Sequence, residues 1–240
     1  MKKILVLLMT TLLVLGNFST ASAAEKKEVK QKIICIDAGH QQKGNYEKEP
    51  IGPGSKTMKP KVSSGTTGVS TKKPEYVLTL ELSKLLKEKL EERGYKVIMI
   101  REKHDVNISN KERADIANKA NADLFLRIHA DGVNDPKVSG ISTIYPSEKN
   151  PYVAHLSKNS KKISTLLANE MAHFTKAKNR GAFARDDMSG INWCKVPVSI
   201  VEAGFMSNPA EDKLLSDPKY QEKLVRGMVN AIELYFQQVK

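Results

Sequence analysis

The sequence predicts an α/β fold, a single domain with a mostly parallel central sheet flanked by helices. Short β-branched apolar runs recur along the chain, and amphipathic helical patterns separate them. About 215 of the 240 residues remain after an N-terminal leader, enough for one sizeable core and too few for two.

The leader comes first. Lys2 and Lys3 precede an apolar stretch from Ile4 to Leu15, and Ala21-Ser22-Ala23 supplies a small-x-small cleavage pattern. The stretch covers about 12 residues, where a helix needs roughly 20 to cross a bilayer, so residues 1–23 read as a signal peptide. No Cys follows the leader to take a lipid. Residues 24–31 form a polar, lysine-rich segment, and the folded domain is expected over 32–240. The protein is thus expected outside the cytoplasmic membrane, in the cell wall or forespore envelope, with no membrane span after signal cleavage.

Within the domain the first strand is expected over Ile33 to Ile36. Residues 41–74 follow, with five Gly, four Pro, seven Lys and no apolar periodicity. Structureless segments longer than about 12–15 residues are usually functional or disordered, so this one is expected to form a substrate rim or partner-docking loop that contributes little to folding. Leu78, Leu82, Leu86 and Leu90, with Leu85 beside them, stripe a helix ended by Gly94. Strands are expected at Val97 to Ile100, Leu124 to Ile128, Ile141 to Tyr145 and Val196 to Val201, and helices at Asn110 to Ala120 and Tyr152 to Phe174. A last helix runs from Pro218 to Val239, capped by Asp217 and striped by Leu224, Met228, Ile232 and Phe236.

Composition narrows the function classes. With 40% hydrophobic and 28% charged residues the chain is an ordinary globular protein. The net charge of +12 becomes +10 once Lys2 and Lys3 leave with the leader, an excess that favours an anionic partner. No basic helix or aromatic-interleaved patch points to nucleic acid, and an anionic envelope polymer or membrane surface fits an exported protein better. Cys35 and Cys194 are too few for a disulfide framework and read as structural thiols, with a single bridge left open.

Three residues could hold a metal. His40 follows the first strand through Ala38-Gly39, His129 ends the run Leu124 to Ile128, and Glu75 opens the Leu-striped helix beside Pro74. Ligand sites in open α/β sheets gather at the carboxyl ends of strands, and two imidazoles with one carboxylate form a catalytic zinc set that leaves a position for water. On spacing alone, a hydrogen-bonded structural role for these residues is as good a reading as a metal site. Glu202, at the end of the run Val196 to Val201, could take a proton from such a water and return it to a leaving group, as amide hydrolysis requires.

At these residues the chain resembles the zinc-dependent N-acetylmuramoyl-L-alanine amidases of bacterial cell walls. Four blocks occur in the same order: Ile36-Asp37-Ala38-Gly39-His40, Pro74-Glu75, Asp123 through Asp131, and Val201-Glu202-Ala203-Gly204-Phe205-Met206-Ser207-Asn208. The resemblance covers the chain from about Lys32 to the last helix. It implies Zn2+ held by His40, Glu75 and His129 and a catalytic role for Glu202. It also implies a peptidoglycan substrate, cut at the amide between N-acetylmuramic acid and the L-alanine of the stem peptide. The segment after His40, together with Met188 through Trp193, resembles the germination-specific, spore-cortex branch, which implies muramic-lactam formation. No wall-binding repeat is present, nor an inserted helix between His129 and Glu202 of the kind that blocks zinc in cell-division members. A separate activator or docking protein therefore stays open, as do a catalytically silent wall-binding module and another zinc peptidase of the wall. A carboxypeptidase would place a His-x-x-Glu pair at His40 or His129, and none occurs.

No substrate-binding residue is assigned. Arg127 reads as the partner of an acid, with a substrate carboxylate as the alternative. His104 reads as a solvated loop residue and Trp193 as packing. His155 and His173, 18 residues apart on the third helix, would be separated by about 27 Å and cannot share a metal.

Overall fold

The computed structural model describes residues 31–239, so the signal peptide of 1–23 and nearly all of the polar segment 24–31 lie outside the described residues. In chain order the elements are β1 (Ile33–Ala38), β2 (Asn45–Pro50), β3 (Met58–Val62), α1 (Glu75–Glu91), β4 (Lys96–Met99), α2 (Asn110–Lys119) and β5 (Leu124–Asp131). They continue with β6 (Ile141–Tyr145), α3 (Ser157–Thr175), β7 (Asn179–Ala184), α4 (Ser189–Asn192), β8 (Val198–Phe205), α5 (Pro209–Leu215) and α6 (Pro218–Gln238).

Six strands form the central sheet in the order β4-β1-β5-β8-β6-β7. β4, β1, β5 and β8 run parallel, β6 is antiparallel to β8, and β7 is parallel to β6. The reversal at β6 has a simple cause. Parallel neighbours need a crossover of a dozen or more residues, whereas residues 132–140 between β5 and β6 are a short link without a helix. The α/β class and the mostly parallel sheet are as expected, while β7, α4 and α5 were not foreseen.

Strand periodicity assigns the two faces of the sheet. Ile34, Ile36, Leu124, Leu126, Ile128, Val201 and Ala203 pack beneath α1, α3 and α6, with Leu78, Leu82, Leu86, Leu90, Leu167, Met228 and Ile232 among the buried residues that meet them. The alternate residues face the other way, where Cys35, Phe125, Val198 and Ile200 join Ala114 and Ala117 of α2, Ile191 of α4 and Cys194. Asp37, Arg127, His129 and Glu202 share the parity of this second face. Polar residues therefore continue the second apolar layer toward the carboxyl edge of the sheet.

The segment 41–74 departs from expectation. It contains the antiparallel hairpin β2–β3 and is tied into the fold at several points. Buried Glu49 accepts a hydrogen bond from Lys111 N at 3.1 Å in the first turn of α2, and Asn110 Nδ2 donates to Lys61 O at 2.8 Å. Trp193 Nε1 donates to Pro50 O at 3.0 Å. Buried Asp212 of α5 accepts from Ser70 N at 2.6 Å, Thr71 N at 2.7 Å and Thr71 Oγ1 at 2.7 Å. Extended backbone with partners drawn from distant elements needs no apolar periodicity, which is why the sequence pattern hid it.

Two boundaries also shift. β8 continues past Val201 to Phe205, so Glu202 lies inside the strand. α3 begins at Ser157 after a short 3-10 turn at Ala154–Leu156, which puts His155 outside the helix.

Candidate metal centre and active site

His40, Glu75 and His129 converge at the carboxyl edge of the sheet. Their candidate ligand atoms all lie within 4.8 Å of one another. His40 Nε2 is 3.0 Å from Glu75 Oε1, His129 Nδ1 is 3.2 Å from the same oxygen, and the two ring nitrogens are 3.0 Å apart.

Each side chain is positioned by a local device. His40 follows β1 with φ of 61°, a left-handed conformation uncommon outside glycine. Two buried guanidinium groups hold that turn by its carbonyl oxygens. Arg101 donates to Ala38 O at 2.8 Å and Gly39 O at 3.0 Å, and Arg113 donates to Ala38 O at 3.2 Å and His40 O at 3.1 Å. Gly39 is dictated by proximity, since a Cβ there would come within 2.4 Å of the His129 ring. Gly65, with φ of +82°, likewise brings its backbone against Glu75 Oε2 and the His40 ring.

Hydrogen bonds fix the orientation of these groups. His40 Nδ1 lies 3.0 Å from Ser63 O and donates to it, which fixes the ring with Nε2 turned toward Glu75. Glu75 accepts from Ala130 N at 3.1 Å and Thr66 N at 2.9 Å. Burial alone would raise the Glu75 carboxyl, but the hydrogen bonds and charges of His129 and His40 outweigh it and hold the group well below the usual carboxylate range. Burial pushes His129 down to about 4 against the opposing effect of its hydrogen bond to the Glu75 carboxylate. A buried carboxylate and two imidazole nitrogens aimed at one point fit a divalent metal that prefers nitrogen and oxygen ligands.

Glu202 pairs with His129 in the β5–β8 register. Its Oε2 is buried without a hydrogen-bond partner. Burial, followed by the Glu75 and Asp131 carboxylates, pushes this carboxyl well above its ordinary value. One wall of Glu202 borders an open cavity of about 340 Å³ that also reaches Asp131, Phe183 and Arg185.

The other singled-out residues fall elsewhere. Arg127 pairs with buried Asp37 at 2.9 Å and donates to Asn110 Oδ1 at 2.6 Å, in accord with its reading as an acid's partner. His104 is half-buried rather than solvated, its ring packed edge-on against Tyr76 with Nδ1 enclosed. Trp193 packs, with Lys111 Nζ 4.8 Å from its ring centre. Cys35 and Cys194 are free and buried, and burial pushes the Cys194 thiol up to about 12. Sequence reasoning missed Ser63 and Thr66, which act through backbone atoms and so leave no signature. It also missed Arg101 and Arg113, for which the only signal is an arginine beside each of two apolar elements.

Together the sheet edge, the His-Glu-His group and the enclosed carboxylate define a site suited to metal-assisted hydrolysis. The chain belongs to the N-acetylmuramoyl-L-alanine amidase family, whose model matches residues 34–234. It is 26% identical over 220 residues to the probable cell wall amidase LytH of Staphylococcus saprophyticus, covering 92% of this chain and 64% of that protein. The chain thus spans a little under two thirds of that relative's length. Its identity to the germination-specific N-acetylmuramoyl-L-alanine amidase of Bacillus subtilis is 27% over 175 residues, covering 66% of this chain and 69% of the other. The CwlD amidase of Clostridioides difficile, solved in complex with the GerS lipoprotein, superposes with a TM-score of 0.66 at 26% identity, covering 86% of this chain and 99% of that one.

Proposed function

We propose that the protein is a zinc-dependent peptidoglycan hydrolase that cuts the amide between the lactyl group of N-acetylmuramic acid and the L-alanine of the stem peptide. The observation that carries this reading is the convergence of His40, Glu75 and His129 within 4.8 Å, with Glu202 opposite His129 on the next strand.

In this reading His40 Nε2, His129 Nδ1 and a Glu75 oxygen hold Zn2+. Zinc, when bound, polarises the substrate carbonyl and acidifies a water. Glu202 accepts the proton of the attacking water at a carboxylate oxygen and delivers it to the departing amine nitrogen. A carbon–oxygen bond forms as the carbon–nitrogen bond breaks, leaving a lactyl carboxylic acid and a free stem peptide. The enclosed position of Glu202 suits this double duty, because burial raises its carboxyl and so strengthens it as a base towards the attacking water, and it then holds that proton until the departing amine takes it. A divalent charge on the neighbouring ligands brings it back toward the ionised form that the first transfer requires.

The reading also places the work outside the cytoplasm, after cleavage of the leader at residues 1–23, in remodelling of the cell wall or spore cortex. Similarity to a germination-specific amidase favours the cortex, where removing the stem peptide precedes muramic-lactam formation. A separate activator or docking protein is supported by the amidase neighbour solved with a lipoprotein. The test is digestion of purified peptidoglycan with and without chelator. Release of free stem peptides that stops on chelation and returns with Zn2+ is the expected result. Intact muramoyl peptides in both arms would refute the proposal.

A further inference from the structure

Arg127 carries an incompletely satisfied guanidinium. It is buried, its Nε donates to Asp37 at 2.9 Å and its Nη2 to Asn110 at 2.6 Å. Its Nη1 has no acceptor among the described residues and points at Gly190, where a Cβ would come within 1.6 Å of it. Any other residue at position 190 would cover this donor, and glycine leaves it open. Arg127, Gly190, Asn110, Lys59 and the Asp187 carboxylate line a cavity of about 260 Å³, and Ser63, whose carbonyl holds His40, forms its edge next to the metal group.

The charges around this cavity do not cancel. Asp37 is shared by Arg113 and Arg127. Asp187 is shared by Arg185 and Lys59. Each carboxylate thus meets two cations, and the cavity wall itself holds two cations, Arg127 and Lys59, against the one Asp187 carboxylate. A buried guanidinium with a free donor, backed by such an excess, is a carboxylate receptor. The amino sugars flanking the scissile amide are neutral, whereas the peptide carries a carboxylate on its second residue. Arg127 and His129 are two residues apart on β5, about 7 Å, which is also the reach from a scissile amide to a group on the second residue of an extended peptide.

We propose that this cavity binds the α-carboxylate on the second residue of the stem peptide, making Arg127 the residue that determines which peptide is accepted. This rests on the amidase reading above. The test compares two N-acetylmuramoyl peptides that differ only in carrying a carboxylate or a carboxamide at that position. The parent protein is expected to favour the carboxylate about tenfold in kcat/KM, mostly through KM, as one charge-assisted hydrogen bond provides. Lys59→Gln, at a half-buried position, should narrow the preference, and Arg127→Met should abolish it if circular dichroism shows a folded protein. Equal kcat/KM for the two substrates with the parent would overturn the proposal. If neither substrate is cut, the amidase reading fails, and calorimetric titration with the two free peptides decides the cavity separately. Tighter binding of the carboxylate form by the parent, weakened in Lys59→Gln, would sustain the carboxylate site, and equal binding would overturn it.

Discussion

At His40 the backbone is asked to do something unfavourable. A non-glycine residue in the left-handed region costs about 1–2 kcal/mol, and here the carbonyl bonds from Arg101 and Arg113 hold the turn so that Nε2 meets Glu75 and His129. Replacing His40, Glu75 or His129 by Ala should leave two ligands where a catalytic zinc needs three, so elemental analysis should find most of the zinc gone. Full occupancy in His129→Ala would refute the ligand assignment. Glu202→Gln makes a different prediction, because it removes the proposed proton carrier without touching a proposed ligand. Zinc content should stay near parental while stem-peptide release falls about 10²–10⁴-fold. In the metal-free protein the same change should be stabilising. Folding holds the Glu202 carboxyl above its unfolded value, so the parent loses stability as pH rises past about 4.5, and a glutamine does not. Thermal melts with chelator should therefore separate the two proteins at about pH 8 and bring them together near pH 4. The grouping of these four residues was legible because each stands near the carboxyl end of a strand or at a helix start, within a short recognisable block. Ser63 and Thr66 were not, since a backbone carbonyl or N–H looks the same at every position.

Among the elements, the hairpin β2–β3 decides how the site is walled. Its Glu49 ends up 5% exposed and accepts a bond from Lys111 N near the start of α2, where the helix dipole favours an anion. Glu49→Ala should cost about 1–3 kcal/mol in urea unfolding, the range for a buried acceptor and helix-end charge removed together. A loss within about 0.5 kcal/mol, typical of a surface change, would mean that the hairpin merely rests on α2. The helices were readable because α1 and α6 carry long leucine-type stripes over a real apolar face. β7 was not, since Asn179–Ala184 includes Gly181 and stays half-exposed, so no apolar alternation marks it. The direction of β6 was also hidden, because it depends on which neighbour the strand finds rather than on its own residues.

Across the whole molecule, the sheet separates an apolar layer under α1, α3 and α6 from a layer that turns ionic toward the site. That asymmetry governs the response to acid. Burial alone would raise the Asp37 carboxyl, but Arg113 and Arg127 outweigh it and hold the group far below the carboxylate range. The unfolded chain protonates Asp37 near its ordinary value of 3.8, while the folded chain does so only at lower pH. The stability this cluster contributes is therefore complete above that value and is lost as pH falls through the folded one. His129 works in the same direction at higher pH, since the unfolded imidazole takes its proton near 6.5 and the folded one near about 4. Metal-free protein should accordingly respond in two stages, changing little between about pH 6.5 and 4, where the loss from His129 is offset by the gain from the raised Glu202 carboxyl, then weakening steeply below about pH 4 from Asp37. Asp37→Asn isolates the second stage. It keeps the shape of the side chain but strands two buried guanidinium groups, which should cost about 3–5 kcal/mol at neutral pH. Because that contribution is then already missing, the variant should lose less than the parent on further acidification. Urea midpoints at about pH 7, 5 and 3 measure both effects. A variant that declines below pH 4 as steeply as the parent would show that the acid limb arises from other carboxylates.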